Sequence, residues 1–258
     1  MSIIIDADVH ISPYQGAEHI SADELISRMD YTGVDKALTW ITPPYLREID
    51  ESNRYLYEAS KKYPDRILPF GWANPKLGVE KAKDMVKRCV VEYGFLGVKL
   101  NGAQNEYYID DPQLALPVIE EIAKTGKAIA FHTGADSYEH THPFRVAKIA
   151  KMYPELPVLA AHMGGAAIAD LSNACIEFAQ QCPNIMLIGS SVKDLSILKA
   201  IRTLGPKRVC FGSDTPFALM HASLAMYRAM LEGEGLSAEE WDDILGGNIA
   251  RFFKLPCV

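Results

Sequence analysis

The 258-residue chain carries a formal charge of −7, with 48% apolar and 23% charged residues, the balance of a globular protein with a sizeable core. It has no Lys/Arg cluster of the kind that tracks phosphates, so nucleic acid is not an expected partner. No apolar run approaches the roughly 20 residues that span a bilayer, and Asp6 interrupts the first apolar run too early for a secretory leader.

In chain order, the first apolar residues, 3–5, read as a strand that leads into IDADVH. Alternation in an extended chain would put Asp6, Asp8 and His10 on one face. Ser21-Ala-Asp-Glu24 is a capping box that opens a helix to about Tyr31, and Gly33 closes it. A strand over 36–41 precedes a helix over 53–63, which sets Leu56, Ala59 and Tyr63 on one face and stops before Pro64. The alternation then continues with strands over 67–72, 97–100, 128–132, 158–162, 185–189 and 208–212. Helices over 79–92, 114–124, 144–152, 171–181 and 195–204 separate them. Two more helices follow, over 219–231 and 238–245, the second introduced by a capping box at Ser237-Ala-Glu-Glu240.

Strand–helix alternation implies parallel strands joined by crossovers. Eight such units in a chain of this length predict an α/β protein, a (β/α)8 TIM barrel occupying residues 1–258 as one domain. A doubly wound open sheet is the alternative, but no G-x-G-x-x-G follows the first strand. The five cysteines (Cys89, Cys175, Cys182, Cys210 and Cys257) form no C-x-x-C pair and are odd in number. They suit reduced core thiols, and the expected location is the cytoplasm.

The expected strand ends carry an unusual load. Asp8 and His10 follow strand one, Lys99 lies in GVKLNG, His132 in AIAFHTG, His162 in VLAAHMGG and Asp214 in VCFGSDTPF. In a barrel these ends converge on the face that carries activity. A single histidine after a strand is usually structural, whereas three His and two Asp brought together by independent strands point to a bound cation, because such groups are costly to bury alone.

The set IDADVH, HTG, HMGG, FGSDTPF and ILGGNIARFF resembles the amidohydrolase superfamily, in its amidohydrolase-related branch (amidohydrolase family 2). YTGVDKALTW and KKYPDRILPFGWANP extend the resemblance over nearly the whole chain. The resemblance implies a metal-dependent TIM barrel that hydrolyses amides, esters or lactones, or, in a subset, decarboxylates or hydrates small carboxylic acids. It assigns Asp8, His10, His132 and Asp214 as metal ligands, with Asp214 also moving the proton of a metal-bound water. His162 falls on the histidine that orients or activates that water. Lys99 falls where binuclear relatives carry a carboxylated bridging lysine.

Asp8 departs from the His-x-His of the resemblance. Two carboxylates on one divalent ion neutralise it formally, so its effect on a bound water weakens and a nearby base matters more. Harder oxygen ligands shift preference toward manganese or magnesium, while the imidazoles keep zinc as the expected ion. Asp8 has a second reading as a mere hydrogen-bond partner. An unmodified Lys99, binding a substrate carboxylate or pairing with Asp8, is favoured over a binuclear centre.

The loop ITPPYLREID offers Tyr45 and Arg47, and GADSYEHTHPFR offers Tyr138, His140, His142 and Arg145, with Arg suited to gripping a carboxylate. Arg47, Tyr138, Arg145 and Lys99 are thus the expected contacts for a small acidic substrate. HTH at 140–142 reads as a helix start with Pro143 in the first turn. The leading functional expectation is hydrolysis of a lactone, ester or amide. A decarboxylase or hydratase using the same site is the alternative, and a non-catalytic binding barrel is the third. The sequence leaves homo-oligomerisation open.

Overall fold

The computed structural model describes residues 3–45 and 47–255; Cys257 lies outside them. Strand β1 spans Ile5–Ile11, and all seven of its residues are buried. It therefore begins where the expected strand ends, and Asp6, Asp8 and His10 stand inside it. Parallel strands covered on both faces need partners for any polar group they carry, and here the neighbouring strands supply them.

β1 pairs with β2 (Lys36–Ile41), which pairs with β3 (Ile67–Pro69). Strand β4 (Gly71–Trp72) opens a second run through β5 (Gly97–Leu100), β6 (Ala128–His132), β7 (Val158–Ala161), β8 (Ile185–Ile188) and β9 (Val209–Cys210). Every pairing is parallel. β3 and β4 are two pieces of one barrel position, interrupted at Phe70, whose N–H still reaches Thr39 O at 2.9 Å. The barrel closes where Ala7 N–H meets Phe211 O at 3.0 Å, Asp214 N–H meets Asp8 O at 2.8 Å, and Val9 bridges Thr215. The result is a TIM barrel.

The pairing of β1 with β2 advances from Asp6 to Val9 while β2 advances only from Ala37 to Thr39. That extra residue is a bulge, and it breaks the alternation on which Asp6 would share a face with His10. Asp6 instead accepts the N–H of Ser213 at 2.8 Å and takes no part in the cluster described below. Burial pushes its carboxyl up to about 7.

The helices follow the expected order. α1 (Ala22–Thr32) starts with Ser21 Oγ accepting Glu24 N–H at 3.1 Å, but Glu24 itself turns to Arg28 at 2.6 Å, so the reciprocal bond is absent. α2 (Asp50–Lys62) begins before Asn53 because Asp50 and Glu51 suit the positive end of a helix. α3 (Val79–Lys87) continues as a π turn over Arg88–Glu92. α4 (Ala115–Lys124), α5 (Pro143–Met152), α6 (Leu171–Gln181) and α7 (Asp194–Leu204) cover successive strands. α8 (Met220–Gly233), α9 (Ala238–Asp242) and α10 (Asn248–Phe252) complete the shell, and the capping box at Ser237 is fully formed. As expected, α5 starts at HTH, with His142 Nδ1 accepting Phe144 N–H at 3.1 Å. Cys89, Cys175, Cys182 and Cys210 are buried free thiols. No helix among the described residues is long and apolar enough to cross a membrane.

Candidate metal centre and pocket

A cavity of about 430 Å³ opens at the C-terminal ends of the strands, lined by His10, His132, Asp136, His162, Ser191 and Asp214 among others. Its walls include Pro43, Ala135, Ala166, Ala167 and Phe217. The backbone marks the same place. Among the described residues, eight non-glycine residues have positive φ, and five of them (Tyr45, Asp136, His162, Ser191 and Asp214) line this cavity. Each such residue costs roughly 1–3 kcal/mol and persists only where the surroundings over-determine it. β7 therefore ends at Ala161 rather than at His162, whose φ is 64°.

Each imidazole is oriented by a partner on its far side, an arrangement typical of metal ligands. His10 Nδ1–H donates to Ile41 O at 2.9 Å, which leaves Nε2 bare. Trp40 Nε1, which can only donate, points at that Nε2 at 3.0 Å. His132 Nε2–H donates to Asp136 Oδ2 at 3.1 Å, leaving Nδ1 bare. His162 Nδ1–H donates to Ser190 O at 3.1 Å, leaving its Nε2 facing His132 Nδ1 at 3.1 Å. Two unprotonated nitrogens thus face each other.

The carboxylates present the same deficit. His10 Nε2 lies 3.5 Å from both Asp8 Oδ1 and Asp214 Oδ1. Asp8 Oδ1 is buried without a hydrogen-bond donor, while Ser190 Oγ–H donates to Asp8 Oδ2. Ser191 Oγ–H donates to Asp214 Oδ2 at 2.7 Å. Acceptors confronting acceptors in a buried space need a shared cation. Ligand atoms of Asp8, His162 and Asp214 all lie within 4.8 Å of one another. The donor set of two carboxylates and imidazoles suits a divalent ion.

Electrostatics agree. Burial, the largest cause, pushes His132 down to about 4, so it is neutral, the ligating form, near neutral pH. Burial and Lys99 push His10 down, but the neighbouring carboxylates of Asp214 and Asp8 outweigh them and its pKa is raised, the direction in which a cation beside those carboxylates is favoured. Burial also pushes Asp8 up, yet the charge of Lys99 and the nearby histidines hold it below the usual carboxylate range. Lys99 itself is fully buried, its Nζ 3.8 Å from Asp8 Oδ1, 3.6 Å from the centre of the Trp40 ring and without a hydrogen-bond partner. Burial lowers its pKa against the opposing charges of Asp8 and Asp214.

Asp8, His10, Lys99, His132, His162 and Asp214 are therefore brought together, from β1, β5 and β6 and from just beyond the ends of β7 and β9. The substrate contacts are not. Lys99 lies beneath the cavity rather than on its lining. Arg47 packs over the Tyr14 ring at 5.4 Å, and Arg145 pairs with Asp110 at 2.5 Å and covers Tyr108 at 4.3 Å. Tyr138 sits on the outer turn of its loop, its N–H bonded to Asp136 O at 3.0 Å. Asp110 is a nearly buried carboxylate, and satisfying it with Arg145 outweighs leaving that arginine free for a ligand.

The cavity includes Tyr45, which its loop already offered, and adds Glu18, Gln104, Asp136, Ser191 and Phe217 to the expected set. Asp136 follows β6 by four residues, and Ser190-Ser191 follow β8, so both carried the strand-end signal that singled out the other residues.

A family model described as amidohydrolase matches residues 5–255. The 2-amino-3-carboxymuconate-6-semialdehyde decarboxylase of Dictyostelium discoideum is 24% identical over 238 residues, covering 79% of this chain. The match spans 65% of that relative, just under two thirds of its length. The gamma-resorcylate decarboxylase of Polaromonas sp. is 23% identical over 297 residues, covering 90% of this chain and 87% of that one. In structure, the 5-carboxyvanillate decarboxylase of Novosphingobium aromaticivorans, crystallised with manganese and a nitrobenzoic acid, superposes with a TM-score of 0.78. That likeness has 18% identity and covers 98% of this chain and 96% of that one.

Proposed function

The chain belongs to the amidohydrolase family, and from that premise we propose that it is a metal-dependent decarboxylase of a small aromatic or unsaturated carboxylic acid. The relatives favour this alternative over the hydrolysis that led the sequence reading, since those reported above all bear decarboxylase names. Manganese in the similar structure favours that ion over zinc, in keeping with the oxygen donors of Asp8 and Asp214.

The observation that carries the reading is the floor of the cavity. Its described lining holds no Lys or Arg, yet Glu18, Asp136 and Asp214 face it. An anionic substrate is therefore met by positive charge only if a cation sits on Asp8, His10, His132 and Asp214, with His162 within reach. A divalent ion held by these residues would supply positive charge for a substrate carboxylate. A cavity of about 430 Å³ accommodates a single-ring ligand, and Pro43, Ala135, Ala166, Ala167 and Phe217 give it apolar walls.

Asp214 is placed to move the proton. Burial and Asp8 push its carboxyl up, but His162 and His10 outweigh them and leave it ionised at neutral pH. As a base it takes the proton of a hydroxyl beside the substrate carboxylate. It then hands that proton to the ring carbon that bears the carboxylate, where electron density pushed in from the deprotonated oxygen forms the new C–H bond. The bond to the carboxylate then breaks, its electron pair returns to the ring and the oxygen, carbon dioxide leaves and Asp214 is again a carboxylate. Ser191 Oγ–H, on the other carboxylate oxygen, holds Asp214 in place for both transfers.

The test is incubation of manganese-loaded protein with 2,6-dihydroxybenzoate, 5-carboxyvanillate and unsaturated acids, following carbon dioxide, alongside a lactone and ester panel followed by acid release. Carbon dioxide from an aromatic or unsaturated acid is the expected result. Turnover confined to the lactones or esters would restore hydrolysis and remove this proposal.

A further inference from the structure

Gln104 begins a line of hydrogen bonds that enters the centre from outside it. Asn101, buried just after β5, donates through Nδ2 to Gln104 Oε1, and its Oδ1 accepts Gln104 N–H at 3.0 Å. With its oxygen committed, the Gln104 amide has only Nε2 to offer outward, and this donates to Asp136 Oδ2 at 2.7 Å. The same oxygen accepts His132 Nε2–H at 3.1 Å. The orientation of the amide thus follows from its partners.

Asp136 needs such an anchor. Its side chain is 53% exposed, and it sits on a loop with φ of 52°. Gly134, at φ of 61°, brings this loop so close to Gly164 that any Cβ would collide with its backbone. The loop backbone is thereby fixed, while among the described residues the Asp136 carboxylate is steadied only by Gln104 and His132.

We propose that Gln104 is a positioning residue that locks Asp136, holds His132 as the tautomer protonated on Nε2, and so presents Nδ1 to the bound ion. The affinity half of this proposal rests on the reading of the cluster as a metal site; the tautomer half does not. Partners of this kind are worth about 10–100-fold in metal affinity.

The test uses the full chain and two readouts. In metal-free protein, nitrogen NMR of the imidazoles reports which nitrogen of His132 carries the proton. Wild type is expected to show Nε2–H alone, and Gln104→Met a mixture. Manganese titration against a chromophoric chelator is expected to show about tenfold weaker binding for Gln104→Met and a larger loss for Asp136→Asn. The double variant should bind no more weakly than Asp136→Asn alone, because the two act in series. Gln104→Glu, the same length but with an acceptor facing Asp136, should act in the same direction and serves if Gln104→Met does not fold. A wild-type tautomer pattern with unchanged affinity in the Gln104 variants, or fully additive losses, overturns the proposal. Failure of wild type to take up manganese overturns the metal reading and the affinity half with it, and the metal-free spectra then decide the tautomer half.

Discussion

On the β1–β9 side of the pocket, Asp8 and His10 reach inward from the middle of a strand, and the register of the barrel fixes them. On the β5–β6 side, Gln104 and Asp136 stand on loops beyond the strand ends, and side-chain hydrogen bonds fix them. One wall is held by backbone pairing and buried charge, the other by amide and carboxylate contacts near solvent. The first should respond to substitution through chemistry and folding energy together. The second should respond through the finer placement of His132, with the fold left standing.

Asp214→Asn strikes the strand-borne wall where it touches substrate. The variant keeps the acceptor for Ser191 but loses the carboxylate proposed to take and return the proton. A fall in kcat of about 10²–10⁴-fold is expected, the range for a positioned acid–base group, measured as carbon dioxide release with manganese content determined in parallel. Retention of full turnover would move the proton transfer off this wall altogether.

Lys99→Met, on β5 beneath the pocket, probes the energetics of the buried charge that the first wall carries at Asp8. It leaves the buried Asp8 without the cation 3.8 Å away. Breaking a buried pair from one side costs about 3–5 kcal/mol, so the urea midpoint of metal-free protein should fall accordingly. Manganese should recover part of the loss, since a divalent ion restores the missing charge. An unchanged midpoint would show that Lys99 compensates nothing at Asp8.

The two walls also differ in how far the sequence discloses them. Asp8, His10, His132, His162 and Asp214 all lie in or just after apolar runs, and a barrel turns that position into convergence. The bulge between Asp6 and Val9 escapes such a reading, because only pairing with β2 reveals the extra residue. Gln104 and Asp136 escape it for another reason: nothing in GAQNEY or GADSYE fixes which loop side chain meets which across 32 residues. The same limit misplaced Arg145. An arginine in a strand-end loop looks free for an acidic ligand until Asp110 is seen beside it.

Asp110 tests whether the loop wall depends on that clamp. Burial pushes its carboxyl up, but the bonds and charges of Lys148 and Arg145 outweigh burial and hold it below its ordinary value. A carboxylate depressed in the fold contributes stability above its unfolded pKa of about 4 and loses that contribution as pH falls through the folded value. Asp110→Asn should therefore cost about 1–3 kcal/mol at pH 7, the scale of charge-assisted hydrogen bonds. The gap between variant and wild type should close in the acid range below about pH 4. Thermal melts across pH read this directly; a gap that stays constant with pH would assign the loss to packing rather than to charge.

The smallest effects are expected outside both walls, at the residues that looked most suited to gripping an acid. Arg47 lies over the exposed Tyr14 ring, an arrangement worth roughly 0.5–1 kcal/mol, and the partly exposed Tyr138 is not on the cavity lining. Arg47→Ala and Tyr138→Phe should each change KM for an acidic aromatic substrate less than about twofold and stability by no more than about 1 kcal/mol. The reason is positional: with the substrate carboxylate held over Asp8, His10 and Asp214, neither side chain lies along the cavity wall that the ring would occupy. A tenfold rise in KM for Arg47→Ala would mean that its loop folds over the bound acid and adds a third, moving wall to the pocket. The substrate would then owe part of its charge recognition to arginine, and a bound cation would no longer be the sole source of positive charge for an anion in this cavity.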